Sequence, residues 1–279
     1  MNVTQVLDEE KTNRFQQVIG ILTWAIELRR VDILTEVSCL SQHLTEPREG
    51  QLIAVYKIFK YLNMRLKSSK GRILFNGKSM VIDSAICNDF NREEWMDFYS
   101  DVREELPIRM PEPLGNPVQV IAYVDANHAG NMKTRRSHTG VLIYINQAPT
   151  ISYSKRQSTV EAASFGSEYI ALRICTEMVE ALRYKLRYFG VPVEGPADIL
   201  CDNPSVVTNS SVPTSVLNKR HNTICYHRVR EAQAAGIIRV GWIEGTKNVA
   251  DLLTKTTLSN ESKRRFTQFI FDDDSTSLP

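Results

Sequence analysis

From Asn13 to Leu66 the apolar residues recur at helical spacing. Val18, Ile19, Leu22 and Ile26 mark one amphipathic segment, and Ile33, Val37 and Leu40 a second. Leu52, Val55, Ile58, Phe59 and Leu62 mark a third, separated from the second by Pro47 and Gly50. A turn at Ser69–Arg72 precedes two short apolar runs, Ile73–Phe75 and Met80–Ile82, which predict a hairpin about Asn76-Gly77. Asp89 to Glu105 is charged, with Trp95 and Phe98 among the charges, and reads as a loop or short helix. Pro107, Pro111, Pro113 and Pro117 then mark a linker.

The periodicity changes at Val118. Val118–Val124 reads as a buried strand ending in Asp125, with further strands at Thr139–Ile145 and Thr150–Ser154; their close spacing predicts an antiparallel meander. A long helix is expected from about Ser167 to Phe189, stopped by Gly190 and Pro192. Ala197–Cys201 is the next strand, ending in Asp202, and Pro204–Ser210 a short helix. His221–Ala235 reads as a helix closed by Gly236, and Ile237–Ile243 as a fifth strand. Val249–Lys255 opens a last helix that Asn248 would cap. The order β-β-β-α-β-α-α-β-α predicts an α/β unit, a mixed five-stranded sheet with helices on its faces.

Composition narrows this picture only a little. The 279 residues allow about two domains, expected here as a mainly helical part over 1–110 and an α/β part over 111–279. A formal net charge of +2 gives no whole-chain support for a polyanionic partner, so any such partner must meet a locally basic face. Five scattered cysteines without a CxxC pair exclude zinc ribbons and thioredoxin chemistry and read as reduced thiols. The start of the chain is polar and acidic, unlike a secretory signal, and no apolar run approaches the roughly 20 residues that span a bilayer. The Asn-x-Ser/Thr triplets at Asn2, Asn209 and Asn260 are then chance matches. An intracellular protein with no membrane partner is expected.

Four acids stand at element ends: Asp125 and Asp202 after strands, Glu168 and Asp251 in expected first turns of helices. Catalytic and ligand-binding groups gather at strand ends of open α/β sheets. Carboxylate oxygens suit a hard cation such as Mg²⁺. Each acid alone also has an ordinary reading, as a helix-dipole partner or, for Asp202-Asn203-Pro204, an Asx turn.

The stretches Tyr123–Gly130, Thr134–Gly140, Ile151–Val160, Ser167–Leu172, Cys201–Asn203, His221–Glu231 and Ala250–Lys255 occur in one order and spacing. Together they resemble the ribonuclease H domain of copia-type retrotransposons. Val18–Ala25, Val31–Ile33 and Lys57–Leu62 resemble the tail of the reverse transcriptase in the same polyprotein. No Tyr-x-Asp-Asp polymerase signature occurs, so the resemblance implies a remnant without a polymerase active site. Three positions depart from the common pattern. His128 stands where many relatives have Trp, Val31 where Pro is frequent, and Phe165-Gly166-Ser167-Glu168 where an acid pair Glu-x-Glu is common. Glu168, next to Tyr169, keeps the second acid; His128 reads as a packing or loop residue.

The resemblance implies a ribonuclease H-like fold preceded by the reverse-transcriptase tail. It implies hydrolysis of the RNA strand of RNA–DNA hybrids during reverse transcription, with Asp125, Glu168, Asp202 and Asp251 as catalytic acids. Two Mg²⁺ ions, or Mn²⁺, would share these acids, Asp125 lying between them, Glu168 and Asp202 on one and Asp251 on the other. Arg135, Arg136, Lys155, Arg156 and Asn203, with Thr134 and the Lys219-Arg220 pair, are expected to meet nucleic acid. His221 or His227 would assist product release near Asp251. The remaining partner is the rest of the Pol polyprotein, in cytoplasmic virus-like particles and the nucleus. The rival expectations are a decayed module that binds nucleic acid without cutting it, and an integrase-like or junction-resolving nuclease.

Overall fold

A computed structural model of the chain describes residues 4–67, 86–87, 90–218 and 220–271. The expected hairpin about Asn76-Gly77, and Lys219, lie outside the described residues.

The helical periodicity of the first part becomes three helices, α1 (Glu9–Glu27), α2 (Leu34–Ser41) and α3 (Glu49–Lys67). Asp8 caps α1, its carboxylate accepting from the Lys11 amide at 2.8 Å. Phe15, Ile19, Leu22, Val37, Val55 and Ile58 close a core of their own, which is why their spacing reads so clearly. The charged stretch after residue 89 holds a 3₁₀ turn at Glu93–Trp95 and the single-turn helix α4 (Met96–Tyr99).

Five strands follow the linker: β1 (Val120–Asn127), β2 (His138–Ile145), β3 (Ala148–Arg156), β4 (Ala197–Cys201) and β5 (Ile238–Trp242). They form one sheet in the order β3-β2-β1-β4-β5. β1, β2 and β3 pair antiparallel, as the meander pattern predicts, while β1–β4 and β4–β5 are parallel. The long helix α5 (Ser164–Tyr188) crosses one face with α6 (Pro204–Ser211) and α7 (Thr223–Ala234). Val120, Ala122, Val124 and Ala126, alternate residues of β1, meet Tyr169, Leu172, Cys175 and Val179 of α5 in the largest core. Ile121, Leu142 and Tyr144 face the other way, onto Val249, Leu252, Leu253 and the C-terminal helix α8 (Asn260–Gln268). Helices therefore cover both faces, as expected.

Several boundaries differ from the sequence reading. β1 continues through Asp125 to Asn127, so this acid lies within the strand and pairs in register with Gly140. α5 begins at Ser164, which moves Glu168 from the first turn to the second. His221 belongs to a 3₁₀ turn, Arg220–Asn222, ahead of α7. The expected helix at Val249–Lys255 is a 3₁₀ segment, Val249–Leu253, capped by Asn248 as expected; α8 is a separate element. All five cysteines are free. Among the described residues no helix is long and apolar enough to cross a membrane.

Candidate active site

β1 and β4 run parallel side by side, so Asp125 near the end of one lies beside Asp202 just after the other. The 3₁₀ segment crosses the same end of the sheet. Asn248, fully buried, donates from Nδ2 to the Val124 carbonyl at 3.0 Å, and its Oδ1 accepts from the Ala250 amide at 3.1 Å. That pair of hydrogen bonds holds the Asp251 segment over β1. β2 permits the approach because Gly140 has no side chain: a Cβ there would sit 2.7 Å from Thr254 Cγ2, 2.8 Å from Leu253 Cβ and 2.9 Å from the Ala250 carbonyl.

Asp125, Asp202 and Asp251 each bring a carboxylate oxygen within 4.8 Å of the other two. Glu168 comes within the same distance of Asp202 and of the Cys201 sulfur. All four acids singled out from the sequence therefore converge, with Asp202 common to both groups. The Cys201 thiol is wholly buried, belongs to the apolar core, and is held protonated by that burial.

Burial first, and neighbouring charge second, raise the proton affinity of Glu168, Asp202 and Asp251. Burial pushes the Glu168 carboxyl up to about 10, helped by the negative charges of Asp125 and Asp202. Burial and then Asp125 push Asp251 up to about 6, and the same causes raise Asp202. Glu168 Oε2 is buried and has no hydrogen-bond partner. Two residues not singled out beforehand steady the others. Thr254 donates its hydroxyl to Asp125 Oδ2. Lys255 places Nζ 2.5 Å from Asp251 Oδ1; burial disfavours its charge, but Asp125, Asp251 and Asp202 outweigh this and raise its pKa. The four-residue spacing of Asp251 and Lys255 was the available signal for that pair.

This donor set fits a hard divalent cation. It is all carboxylate oxygen, it is crowded enough to hold protons, and it leaves one buried oxygen unpartnered.

The other candidate residues are dispersed. Arg136 and Arg156 line one cleft next to Thr254, whereas Arg135 and Lys155 are exposed and outside its lining. Lys155 precedes Arg156 on β3, so alternation turns it to the opposite face. Asn203 caps α6, its Oδ1 accepting from the Ser205 and Val206 amides, which is the Asx turn its neighbours suggested. His221 Nε2 lies 3.1 Å from Oε2 of Glu161, a side chain 8% exposed. His227 Nδ1 is 2.7 Å from the Tyr99 hydroxyl. Neither histidine bonds to any of the four acids. His128 Nδ1 is 3.3 Å from Ser167 Oγ, in keeping with a packing residue.

No family model matches the chain. Among curated proteins it is 28% identical over 141 residues to the Retrovirus-related Pol polyproteins from transposons RE1 and RE2 of Arabidopsis thaliana, half of this chain and 10% of each relative. It is 24% identical over 258 residues, 91% of the chain, to the corresponding polyprotein from transposon TNT 1-94 of Nicotiana tabacum, covering 16% of it. The chain thus spans between a tenth and a sixth of the length of these relatives, and the resemblance to a Pol polyprotein stands. Among solved structures, the N-terminal RNase H domain of a Mycobacterium tuberculosis protein matches 54% of the chain and 97% of its own length at 18% identity, TM-score 0.38. LC11-RNase H1, solved in complex with an RNA/DNA hybrid, matches 49% of the chain and 94% of its own length at 18% identity, TM-score 0.40. The α/β part has the mixed five-stranded sheet with helices on both faces that its sequence predicts.

Proposed function

We propose that the α/β part of this chain hydrolyses the RNA strand of RNA–DNA hybrids in the course of retrotransposon reverse transcription, using divalent cations held by Asp125, Glu168, Asp202 and Asp251. The observation that carries the reading is the convergence of four acids, one with an unpartnered buried oxygen, beside the Lys255 ammonium group. Mg²⁺ or Mn²⁺ bound there would polarise the attacking water and neutralise charge on the leaving oxygen. The chain's own residues do the placing. Thr254 fixes the rotamer of Asp125, Asn248 ties the Asp251 segment to β1, and Lys255 offsets the repulsion among the acids. Water adds to phosphorus as the bond to the 3′ oxygen breaks, leaving a 3′-hydroxyl and a 5′-phosphate. Choice of strand would rest on groove shape and the 2′-hydroxyl, with Arg136 and Arg156 as the better-placed backbone contacts. Asn203 would contribute its free amide NH₂, and Arg135 and Lys155 only peripheral charge. His221 and His227 would act in product release only after leaving their present partners. The test is cleavage of a labelled hybrid in Mg²⁺ by the protein and by Asp202→Asn; the variant should lose all metal-dependent cleavage and stay folded.

A further inference from the structure

Between the helical part and the sheet lies a cleft of about 320 Å³. Its walls come from two regions far apart in sequence. Gln42, His43 and Arg48 follow α2, and Lys133, Arg136 and Arg156 come from the β1–β2 turn and the end of β3. Gln42 joins the walls: its Oε1 accepts from Asn131 Nδ2 at 3.0 Å and from Arg156 Nη1 at 3.1 Å. Among the described residues, Arg48, Lys133, Arg136 and Arg156 form no ion pair, and Glu46 is the only acid in the lining. Burial, then the charges of Lys133 and Arg156, hold the His43 imidazole below its usual pKa. Asn127 and Thr254 also line the cleft. Asn127 donates to the Thr254 carbonyl at 3.2 Å, and the Thr254 hydroxyl donates to Asp125. The cleft therefore abuts the acid cluster through a single residue.

We propose that this cleft is a phosphodiester-binding subsite for the nucleic acid whose scissile bond lies over the acids, and that the helical part supplies one of its walls. This rests on the nuclease reading for its choice of ligand, and it gives the helical part a role in substrate binding without any polymerase chemistry. Unpaired cations on three separate elements, running up to a carboxylate centre, suit a chain of phosphates passing from one to the other.

The test is binding of a labelled RNA–DNA hybrid in EDTA, where no metal-dependent cleavage can occur, across a range of salt. Each neutralised phosphate contact contributes about one to the slope of log affinity against log salt. Arg156→Gln on the sheet wall and Arg48→Gln on the helical wall should each lower the slope by about one and weaken binding several-fold. Arg48 also donates to the Thr4 carbonyl, so Gln42→Glu, which puts a carboxylate between Arg156 and Asn131, provides a second probe of that wall and should weaken binding likewise. Arg29→Gln, outside the cleft, should change neither. If Arg48→Gln and Gln42→Glu both bind as the parent does, the helical wall plays no part and the proposal falls. Cleavage in Mg²⁺ is scored separately. A slope that falls as expected in a chain that never cuts hybrid supports the subsite and defeats the nuclease reading; cutting with unaltered slopes does the reverse.

Discussion

At the scale of single residues, the acid cluster is held together against its own charge. A carboxyl whose folded pKa exceeds its unfolded value makes the native state bind protons more tightly. The stability linked to Glu168 is therefore fully present below its ordinary value of 4.5 and is lost as pH rises towards about 10; for Asp251 the loss runs from 3.8 to about 6. In EDTA the melting temperature should fall steadily from about pH 4.5 towards pH 9, and saturating Mg²⁺ should restore much of the loss at the alkaline end. A melting temperature that is flat over that range, with no response to Mg²⁺, would remove the electrostatic account. Glu168→Gln removes a carboxyl disfavoured first by burial and then by Asp125 and Asp202, so the metal-free variant should gain about 1 kcal/mol, roughly 2–4 °C, while its Mg²⁺ affinity measured by calorimetry falls at least tenfold. The sequence made the four acids legible because each lies close to an expected element end within a recognisable motif. Thr254 was not, since its hydroxyl becomes part of the site only once the segment after Val249 is folded across the end of β1, and Lys255 was marked only by its four-residue spacing from Asp251.

At the scale of elements, the site depends on the 3₁₀ segment lying flat against β2. Gly140→Ala would drive a methyl group into the Ala250 carbonyl and Leu253, and backbone cannot yield as a side-chain end can. The expected cost is about 1–3 kcal/mol, with Mg²⁺ affinity falling because Asp251 and Thr254 move with the segment. Unchanged melting and unchanged affinity in that variant would show that the close approach is not needed. Strands and long helices were well marked by their periodicity, down to the meander of β1, β2 and β3. Ends were marked less well. α5 starts three residues early because Ser164 and Gly166 carry no apolar period. The Val249–Leu253 stretch has a helical pattern and a good cap, yet tightens to 3₁₀ as it closes over the sheet.

At the scale of the whole molecule, the helical part and the α/β part share buried surface. Val31 joins Ile121, Leu142, Val249 and Leu252 in one apolar cluster. Thr35 donates to the Leu252 carbonyl at 2.7 Å, and Ser38 to the Ser154 carbonyl at 2.8 Å. On the far side Arg230, 2% exposed, stacks against Trp95 and Tyr226 at 4.9 and 4.7 Å, and Glu104 pairs with Arg183 and Arg187. A fragment beginning at Pro107 loses Val31, Thr35, Ser38, Trp95 and Glu104, so it should be about 3 kcal/mol or more less stable than the full chain, counting only the burial of Val31 and two hydrogen bonds. Equal melting temperatures for fragment and full chain would contradict that. None of this seam was legible beforehand, because contacts between residues 79 to 217 positions apart leave no local period. The central claim, that four converging acids make a metal-dependent nuclease for hybrids, is tested most directly with one gel. Labelled RNA–DNA hybrid, double-stranded DNA and a four-way junction are each incubated in Mg²⁺ with the chain and with folded Asp202→Asn. The expected result is cleavage of the RNA strand of the hybrid alone, by the parent chain alone. Intact hybrid beside a protein folded by circular dichroism, or equal cleavage by the variant, would contradict it.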